Sequence, residues 1–277
     1  MKKNIAKKNN AMNPNADYLN INQNSWNTWA DSNYASDFYR MEAFLKGENS
    51  LKEPELKLLG EVKGQRILHL QCHFGQDSLS LARMGAKVTG IDLSTRAIEL
   101  AKNLNQQLGL DAQFHCTDVY HTLDHVEGPF ETVFSSWGTI GWLPDLNKWA
   151  QVISGALKPG GRLVFAEFHP VIWMFDNDFK EIAYPYLKSD PIVEELEGNY
   201  AEKEKDMRGT FISWNHGLSE VLQSLIDAGL DIQTFQEFDY SPYEIFKEMD
   251  EFEPGKYRLK KFGSKLPLCY ALLARKS

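Results

Sequence analysis

The run Leu68–Asp77 joins a hydrophobic segment to a helical one and carries the most informative polar residues of the chain. In a fold of alternating strands and helices, such a turn lies at the carboxyl edge of the sheet, where ligands bind. A dinucleotide site there requires Gly-x-Gly-x-x-Gly, but the turn contains only Gly75. Asp77 begins the helix, where a carboxylate competes with phosphate for the positive end of the helix dipole. A nicotinamide or flavin dinucleotide is therefore disfavoured.

Two further acids follow the next two hydrophobic segments. Asp92 lies in Thr89-Gly-Ile-Asp-Leu-Ser94, where a carboxylate can accept hydrogen bonds from both hydroxyls of a ribose. Asp118, in Cys116-Thr-Asp-Val119, is placed to accept from an adenine amino group. Each has an ordinary alternative, because Asp92 would also cap the next helix and Asp118 would also form a turn. The spacing favours a nucleotide-like ligand other than a dinucleotide.

Hydrophobic periodicity predicts the elements that position these acids. Strands are expected at 66–71, 86–91, 112–116, 131–136, 162–168, 231–238 and 266–274, and helices at 54–59, 77–84, 95–108, 145–157 and 218–228. Ser94 is the expected N-cap of the helix at 95–108. This alternation is typical of an α/β fold with a doubly wound parallel sheet and helices on both faces.

Composition excludes several classes of protein. The 277 residues are 43% hydrophobic and 25% charged, as in an ordinary globular protein. A net charge of −8 argues against a nucleic-acid partner, which needs a dense basic face. Three scattered cysteines suit a reducing cytoplasm, and no apolar run approaches the roughly 20 residues that cross a bilayer. We expect a cytoplasmic protein without nucleic-acid or membrane partners, whose oligomeric state leaves no signal in the sequence.

Six short motifs carry a resemblance to a known family when they are taken together. In chain order they are Leu70-Gln-Cys-His-Phe-Gly75, Val88-Thr-Gly-Ile-Asp-Leu-Ser94, Asp118-Val119, Trp142-Leu-Pro-Asp145, Leu157-Lys-Pro-Gly-Gly161 and Glu167-Phe-His-Pro170. Their order and spacing resemble the class I S-adenosylmethionine-dependent methyltransferases. The chain is especially similar to a bacterial, largely uncharacterised group whose first loop reads Leu-Gln-Cys-His-Phe-Gly.

The resemblance implies a Rossmann-like, seven-stranded, mainly parallel sheet whose last strand is antiparallel. It also implies S-adenosylmethionine as the cofactor and S-adenosylhomocysteine as its product. The first loop would hold the methionine part, Asp92 the ribose and Asp118 the adenine, and two serines would lie beneath the sulfonium. The implied cofactor contacts are Gln71, Cys72, His73, Gly75, Asp92, Leu93, Asp118, Val119, Ser135 and Ser136.

The first loop departs from the common family pattern, which is an acidic residue followed by three alternating glycines. His69 replaces the acid, and Gln71 and His73 replace two of the glycines. The backbone cradle survives only if these two residues reach a glycine-like conformation. His69 and His73 also show H-x₃-H spacing, but on a strand and a turn rather than on one helical face. A metal site is therefore not expected. A nucleophilic role for Cys72 is not expected either, because nothing in the sequence shows its side chain and that of His73 pointing the same way.

Methyl transfer needs alignment of the nucleophile, exclusion of water and, for some acceptors, a base. His169, at the end of the fifth strand, is the first candidate base, and His216 is the second. Glu167 would hold the tautomer of either histidine. The alternatives are a hydrogen bond of His169 to nearby backbone, a capping or packing role for His216, and a helix-facing position for Glu167.

Tryptophans predict the character of the acceptor site. They are Trp26, Trp29, Trp137, Trp142, Trp173 and Trp214, and they would together form an aromatic wall. Core packing is the alternative for each of them. As a cluster, they favour a small, partly apolar methyl acceptor over DNA.

The sequence predicts one domain with a lid. Residues 1–16 are expected to be a disordered tail and 17–277 a single methyltransferase domain. Its expected parts are a helical cap (17–60), a cofactor-binding core (64–169), a lid insertion (170–213) and a segment that completes the sheet (214–277). The leading hypothesis is methyl transfer to a small molecule. A catalytically silent cofactor-binding relative and a nicotinamide oxidoreductase are the alternatives.

Overall fold

The computed structural model describes residues 14–197, residue 201 and residues 208–277. Its helices are α1 (Pro14–Ala35), α2 (Met41–Leu45), α3 (Glu53–Leu59), α4 (Gln76–Arg83), α5 (Thr95–Leu108), α6 (Leu146–Ala156) and α7 (Leu218–Asp227). Its strands are β1 (Arg66–Leu70), β2 (Lys87–Asp92), β3 (Gln113–Cys116), β4 (Phe130–Ser136), β5 (Leu157–Phe168), β6 (Ile192–Glu197), β7 (Arg208–Ser213), β8 (Leu230–Phe238), β9 (Met249–Glu253), β10 (Lys256–Leu259) and β11 (Cys269–Lys276). Short 3₁₀ helices lie at Asp37–Tyr39, Val119–Asp124, Ile140–Trp142, Ile172–Met174 and Gly263–Lys265.

Seven strands form one sheet in the order β3-β2-β1-β4-β5-β11-β8. The pairs from β3 to β5 are parallel, whereas β11 is antiparallel to both β5 and β8. This topology confirms the predicted fold class, a mainly parallel sheet with an antiparallel last strand. It also brings the carboxyl ends of β1, β2, β4 and β5 to one edge, where the predicted ligand-binding residues follow them.

Helices cover both faces of the sheet because successive strand residues point in opposite directions. Leu68, Val133 and Phe165 pack on the face covered by α6 and α7. Their neighbours Ile67 and Phe134 pack on the opposite face with residues of α3, α4 and α5. The two buried faces give the strands their nearly continuous hydrophobic character.

Three regions differ from the sequence prediction. The predicted helical cap consists of the long helix α1, a 3₁₀ helix and the shorter helices α2 and α3, and Pro14–Ala16 of the predicted tail are the first residues of α1. The rest of that tail lies outside the described residues. The predicted insertion contains the hairpin β6–β7, and the segment before β11 contains the hairpin β9–β10, which was not predicted.

No helix in the described part of the chain is both long enough and apolar enough to cross a membrane. The 22-residue α1 has the length, but it carries polar side chains along its whole course.

Gly75, at the N-terminus of α4, is expected to be intolerant of substitution. Its φ is 76°, and a Cβ atom would lie 2.8 Å from the Phe114 ring. Gly109 also has a positive φ, 63°, but a Cβ there would meet no atom of the described residues within 4 Å. We expect Gly75→Ala to lower the free energy of unfolding by about 2–5 kcal/mol, from backbone strain and overpacking together, and Gly109→Ala by about 1–2 kcal/mol from strain alone. Urea unfolding of both variants measures the difference, and equal losses would contradict the packing argument.

Candidate functional site

A cavity of about 1050 Å³ opens at the carboxyl edge of the sheet. It reaches from the loops after β1 and β2 to the loops after β4 and β5, and α1 and β7 contribute to its walls. Ligand pockets usually measure roughly 300–1,000 Å³. The cavity is therefore large enough for a nucleoside-sized ligand and a second small molecule.

The structure brings most of the predicted site residues to this cavity. Those that line it are Gln71, Cys72, His73, Asp92, Leu93, Asp118, Val119, Ser136, Glu167, His216 and all six predicted tryptophans. Gly75, Ser135 and His169 are not part of the lining. Ser135 is buried and its hydroxyl bonds to Thr139 Oγ1 at 3.2 Å, so the expectation that it faces a ligand is wrong.

The backbone of the first loop adopts a glycine-like conformation without the glycines. Gln71, His73 and Gly75 have φ values of 55°, 52° and 76°. For a residue with a Cβ atom, this left-handed region costs roughly 1–2 kcal/mol. Gln71 and His73 thus reach the glycine-like conformation that the predicted loop required. The backbone is strained at both residues.

Each of these two residues has a buried side-chain atom without a hydrogen-bond partner among the described residues. Gln71 Nε2 donates to the Thr139 carbonyl at 2.9 Å, whereas its Oε1 is buried without a hydrogen-bond partner among the described residues. His73 Nε2 is buried without a partner in the same sense. The His73 ring lies among Trp26, Tyr39 and Phe74, with centroids 4.3–5.7 Å away. Gln71 and His73 both line the cavity.

Asp92 connects the first loop to the start of α5. Its Oδ2 accepts from the His73 backbone N–H and its Oδ1 from that of Ser94, both at 2.8 Å. Asp92 thus bonds to the residue at the start of α5, as its predicted alternative role as a helix cap required. The residue also lines the cavity. Burial raises the pKa of Asp92 from 3.8 to about 6, against the two backbone donors that favour the ionised form.

Asp118 forms the turn that was its predicted alternative. It caps the 3₁₀ helix Val119–Asp124 by accepting from the Tyr120 N–H at 3.2 Å, and its second oxygen lies 3.1 Å from His121 Nδ1. The residue nevertheless lines the cavity together with Tyr18 of α1. Burial and the nearby carboxylates of Asp118 and Asp145 raise the pKa of the Tyr18 hydroxyl.

Glu167 holds the loop after β4 and does not orient a histidine. Its Oε1 accepts from the Gly138 N–H at 2.5 Å, and its Oε2 accepts from the N–H groups of Thr139 at 2.7 Å and Ile140 at 3.3 Å. Burial raises the pKa of Glu167, although these donors favour its charged form. The predicted role is wrong because the carboxylate is already occupied by backbone N–H groups.

The two candidate histidine bases are engaged in the protein's own hydrogen bonds. His169 Nε2 lies 2.8 Å from Glu237 Oε1, and its Nδ1 accepts from the Val171 N–H. His216 lines the cavity, but Nε2 lies 2.8 Å from the Leu143 carbonyl and Nδ1 lies 3.0 Å from Glu220. Neither ring nitrogen of either residue is left for a substrate. The expectation of a histidine base at these positions is therefore wrong.

His69 and His73 are also poor bases. Burial lowers the pKa of each from 6.5 to about 3, so both are neutral at physiological pH. His69 Nδ1 is 2.7 Å from the Ser78 hydroxyl. Across residues 14–197 and 208–277, no three His, Cys, Asp or Glu side chains converge in a way that could hold a metal ion.

A polar group at the start of α4 was not predicted as part of the site. Asp77 lines the cavity and accepts from the Ser50 hydroxyl at 2.5 Å. Burial raises its pKa, whereas Ser50, Lys52 and Ser136 act in the opposite direction. Lys52 also lines the cavity, and its ammonium lies 4.8 Å from the centroid of the Tyr243 ring. No periodic pattern or motif marked Ser50 or Lys52, since they lie in a loop far from α4 in sequence.

Polar contacts hold helix α1 against the Asp92 side of the cavity. Asn27 Oδ1 accepts from the Ser94 hydroxyl at 2.8 Å and from the Arg96 N–H at 3.1 Å. Gln23 Nε2 donates to the Leu93 carbonyl at 2.8 Å, and Arg96 pairs with Asp31 at 2.7 Å. The helix is thereby tied to the residues that directly follow Asp92.

The predicted aromatic wall is divided into two groups. Trp26 meets Trp142 and Phe211 near α1, with ring centroids 5.3 and 5.7 Å away. Beyond the ends of β4 and β5 lies a second group, in which each ring contacts the next at centroid distances of 5.5–6.0 Å: Phe38, Tyr243, Trp137, Phe168, Trp173 and Phe246. Tyr243 and Phe246 come from a segment in which the sequence predicted no structure.

Comparison with known proteins agrees with this geometry. Residues 67–161 match the family model described as a methyltransferase domain. The ubiquinone biosynthesis O-methyltransferase of Coxiella burnetii is 28% identical over 138 residues. The match covers 49% of this chain and 58% of that protein, so the chain spans somewhat more than half the length of this relative.

Solved structures share the fold. A putative S-adenosylmethionine-dependent methyltransferase from Listeria monocytogenes superposes with a TM-score of 0.58 at 20% identity, over 80% of this chain and 96% of that one. The magnesium protoporphyrin IX methyltransferase of Synechocystis PCC 6803, with bound S-adenosylhomocysteine, gives a TM-score of 0.55 at 14% identity, over 94% and 100%. Residues 67–161 thus resemble a methyltransferase domain, and the chain has the fold of the solved S-adenosylmethionine-dependent methyltransferase structures.

Proposed function

We propose that this protein transfers a methyl group from S-adenosylmethionine to a small-molecule acceptor. The observation that carries the proposal is the cavity itself. The first loop, with its glycine-like backbone, and Asp92 lie on one side, and the second aromatic group lies on the other. The Leu-Gln-Cys-His-Phe-Gly loop also supports placing the chain in the bacterial group that shares it.

The residues around the first loop fit the cofactor. Asp92 offers carboxylate oxygens to the ribose hydroxyls, and Asp118 and Val119 border the space for the adenine. Gln71 Oε1, an acceptor without a partner in the described part of the chain, lies on the side assigned to the methionine part. Acceptors predominate here, which suits a ligand with hydroxyl and amino donors and a positive sulfonium. Trp26 of α1 would shield this ligand from water.

The acceptor would bind in the second aromatic group, between Trp137 and Trp173. Rings on several sides favour a planar, partly apolar molecule. The relatives named as ubiquinone biosynthesis O-methyltransferases favour oxygen as the methylated atom. Trp26, Trp29, Trp142 and Trp214 are then cofactor-side residues rather than acceptor contacts.

Catalysis would depend on alignment and exclusion of water rather than on a histidine base. The cofactor supplies a methyl carbon that is already activated by its positive sulfonium. His69 and His73 cannot take up a proton near neutral pH, and His169 and His216 have no unoccupied nitrogen. The protein would therefore contribute an enclosed cavity that aligns the cofactor at the first loop with the acceptor in the second aromatic group.

Thermal unfolding with three ligands tests the proposal. A ligand at a hundredfold excess over its Kd stabilises a protein by about 2.7 kcal/mol, so S-adenosylmethionine and S-adenosylhomocysteine should raise the melting temperature. NAD should leave it unchanged. Incubation with methyl-labelled cofactor and a metabolite extract, followed by mass spectrometry, should then reveal a methylated product.

The outcomes separate the competing functions. No shift with either sulfur ligand would contradict methyl transfer, and a shift with NAD alone would favour an oxidoreductase. Binding of both sulfur ligands without a labelled product across broad extracts would favour a silent cofactor-binding relative.

A further inference from the structure

Trp137 follows β4 in a backbone conformation that is unfavourable for a residue with a Cβ atom. Its φ is 58°, in the left-handed region. The ring belongs to the second aromatic group, where its centroid lies 5.5 Å from that of Phe168 and 5.8 Å from that of Tyr243. A strained residue keeps its conformation only when surrounding contacts hold it there. The partner of the Trp137 side chain is therefore a candidate determinant of the site.

The indole nitrogen of Trp137 is bonded to a buried carboxyl group. Nε1 donates to Glu55 Oε1 at 3.0 Å, and the same oxygen accepts from the Lys52 N–H, at the start of α3, at 2.7 Å. Glu55 is 0% exposed, and its Oε2 is buried without a hydrogen-bond partner among the described residues. Trp137 lines the cavity, whereas Glu55 does not. The carboxyl group therefore acts on the cavity through Trp137 and not by direct contact with a ligand.

The titratable groups that face Glu55 favour its neutral form. Burial and the carboxylate of Asp77 in α4 raise its pKa from 4.5 to about 8, whereas the N–H groups of Trp137 and Lys52 act in the opposite direction. Cys269 of β11 is also close, but burial raises the pKa of its thiol well above the usual value, so it adds no charge. Glu55 therefore carries a proton at neutral pH.

Two cations contact α3 at other positions. Arg162 of β5 donates to the Leu59 carbonyl at the end of the helix, and Lys256 of β10 lies 3.4 Å from Glu53. Neither bonds to Glu55, whose carboxyl contacts in the described part of the chain are the two N–H groups. A neutral donor such as an indole N–H suits a carboxyl group that carries no charge.

We propose that Glu55 is a positioning residue of the acceptor site, which acts by holding the Trp137 ring. By accepting the indole N–H, it sets the orientation of a ring that packs against Phe168 and Tyr243. The start of α3 thereby determines the shape of the second aromatic group without touching the acceptor. This inference rests on the proposed function, because it requires the acceptor to bind in that group.

NMR signals of isotope-labelled indole N–H groups test the contact between the two residues. Comparison with Trp137→Phe identifies the Trp137 signal. In Glu55→Leu this signal should move upfield, because the indole proton loses its acceptor. In Glu55→Gln it should stay near the wild-type position, since the amide oxygen replaces Oε1.

Titration gives a second signature of the same contact. Because the pKa of Glu55 is about 8, the wild-type Trp137 signal should move downfield between roughly pH 7 and 9, as the carboxyl ionises and becomes a stronger acceptor. The signal should stay flat in Glu55→Gln. Trp142 is the internal control, because its Nε1 donates to the Gly138 carbonyl at 2.7 Å and has no titrating partner.

Turnover distinguishes positioning of the acceptor site from a purely structural role. Methyl-labelled S-adenosylmethionine and a dilution series of the metabolite extract give a maximal rate and a half-saturating extract concentration. Glu55→Leu should raise the half-saturating concentration about threefold or more, while its calorimetric Kd for S-adenosylhomocysteine changes by no more than about twofold. Glu55→Gln should restore the wild-type concentration.

Asn105→Leu is the matched control for lost stability. The Asn105 side chain bonds to both the N–H and the carbonyl of Ala112 at 3.1 Å, and it lies outside the cavity lining. This variant should lower the melting temperature without changing the half-saturating extract concentration.

Failure of the inference and failure of the proposed function give different results. If the wild type forms no labelled product, the proposed function and the acceptor-site role of Glu55 are both overturned. If product forms but Glu55→Leu leaves the half-saturating concentration unchanged, the role of Glu55 alone is overturned. A wild-type Trp137 signal that does not respond to pH or to Glu55→Leu would also overturn it.

Discussion

Replacement of Asp92 by alanine is expected to weaken the binding of S-adenosylhomocysteine by roughly a hundredfold or more. Two hydrogen bonds from ribose hydroxyls to a carboxylate contribute about 1.5–3 kcal/mol each, and each 1.4 kcal/mol corresponds to tenfold in Kd. The backbone N–H groups of His73 and Ser94 also lose their acceptor, so the first loop and the start of α5 are loosened together. Calorimetric titration measures the loss, and an unchanged Kd would show that the ribose assignment is wrong.

The variant Asp92→Asn is the control for the charge of this residue. Because the pKa of Asp92 is about 6 in the ligand-free protein, the carboxyl is protonated below that pH and is a weaker acceptor. Wild-type affinity should therefore rise by up to about tenfold per pH unit as the pH increases towards 6, and that of Asp92→Asn should stay flat. Ligand-free stability shows the opposite trend. Since the folded pKa is above the unfolded value, the stability contributed by Asp92 is lost between about pH 4 and 6 as the pH rises.

Glu167→Ala is expected to destabilise the protein by at least about 3 kcal/mol. The Gly138, Thr139 and Ile140 N–H groups would lose a buried acceptor, and each unsatisfied donor costs about 1–3 kcal/mol. The Phe168 N–H, which donates to the same carboxylate at 2.7 Å, would lose it as well. Urea unfolding followed by tryptophan fluorescence measures the effect.

Glu237→Ala is the matched control, because Glu237 is also bonded to a neighbouring element but its side chain is 47% exposed. Its loss should be clearly smaller, since water can replace the carboxylate. Glu167→Ala should in addition weaken cofactor binding, because the Thr139 carbonyl orients Gln71. If both alanine variants unfold at the same urea concentration, the Glu167 carboxylate does not hold the loop.

Regular elements were predictable wherever local signals were strong. The strands β1, β2, β4 and β11 and the helix α5 lie within a few residues of their predicted bounds, and Ser94 caps α5 by accepting from the Ala97 N–H. These elements are marked by local signals, namely runs of apolar residues, N-caps and terminal glycines, which involve only residues close together in the sequence. The hairpin β9–β10 lacks such signals, because its strands carry many charged residues. The hairpin β6–β7 depends on long-range contacts, since Phe211 and Ile212 of β7 pack on α1.

The placement of Asp92 at the sheet edge followed from chain order, since an acid after a parallel strand must lie at its carboxyl end. The direction of the His169 side chain did not follow from chain order. It depends on β11 lying between β5 and β8 and on Glu237 of β8, a partner 68 residues further along the chain. A near-neutral titrating group at a strand end was a reasonable candidate base, but its hydrogen-bond partner is a long-range contact.

The sequence by itself determined the fold class, the family resemblance and the acids at the carboxyl edge of the sheet. These features depend on periodicity, spacing and short motifs. Only the tertiary structure decided that Gln71 and His73 adopt left-handed backbone, that Glu167 binds a loop and that the tryptophans divide into two groups. Backbone strain and buried polar atoms are balanced by contacts between residues far apart in the chain. No local pattern records those contacts, and the chemistry of the site depends on them.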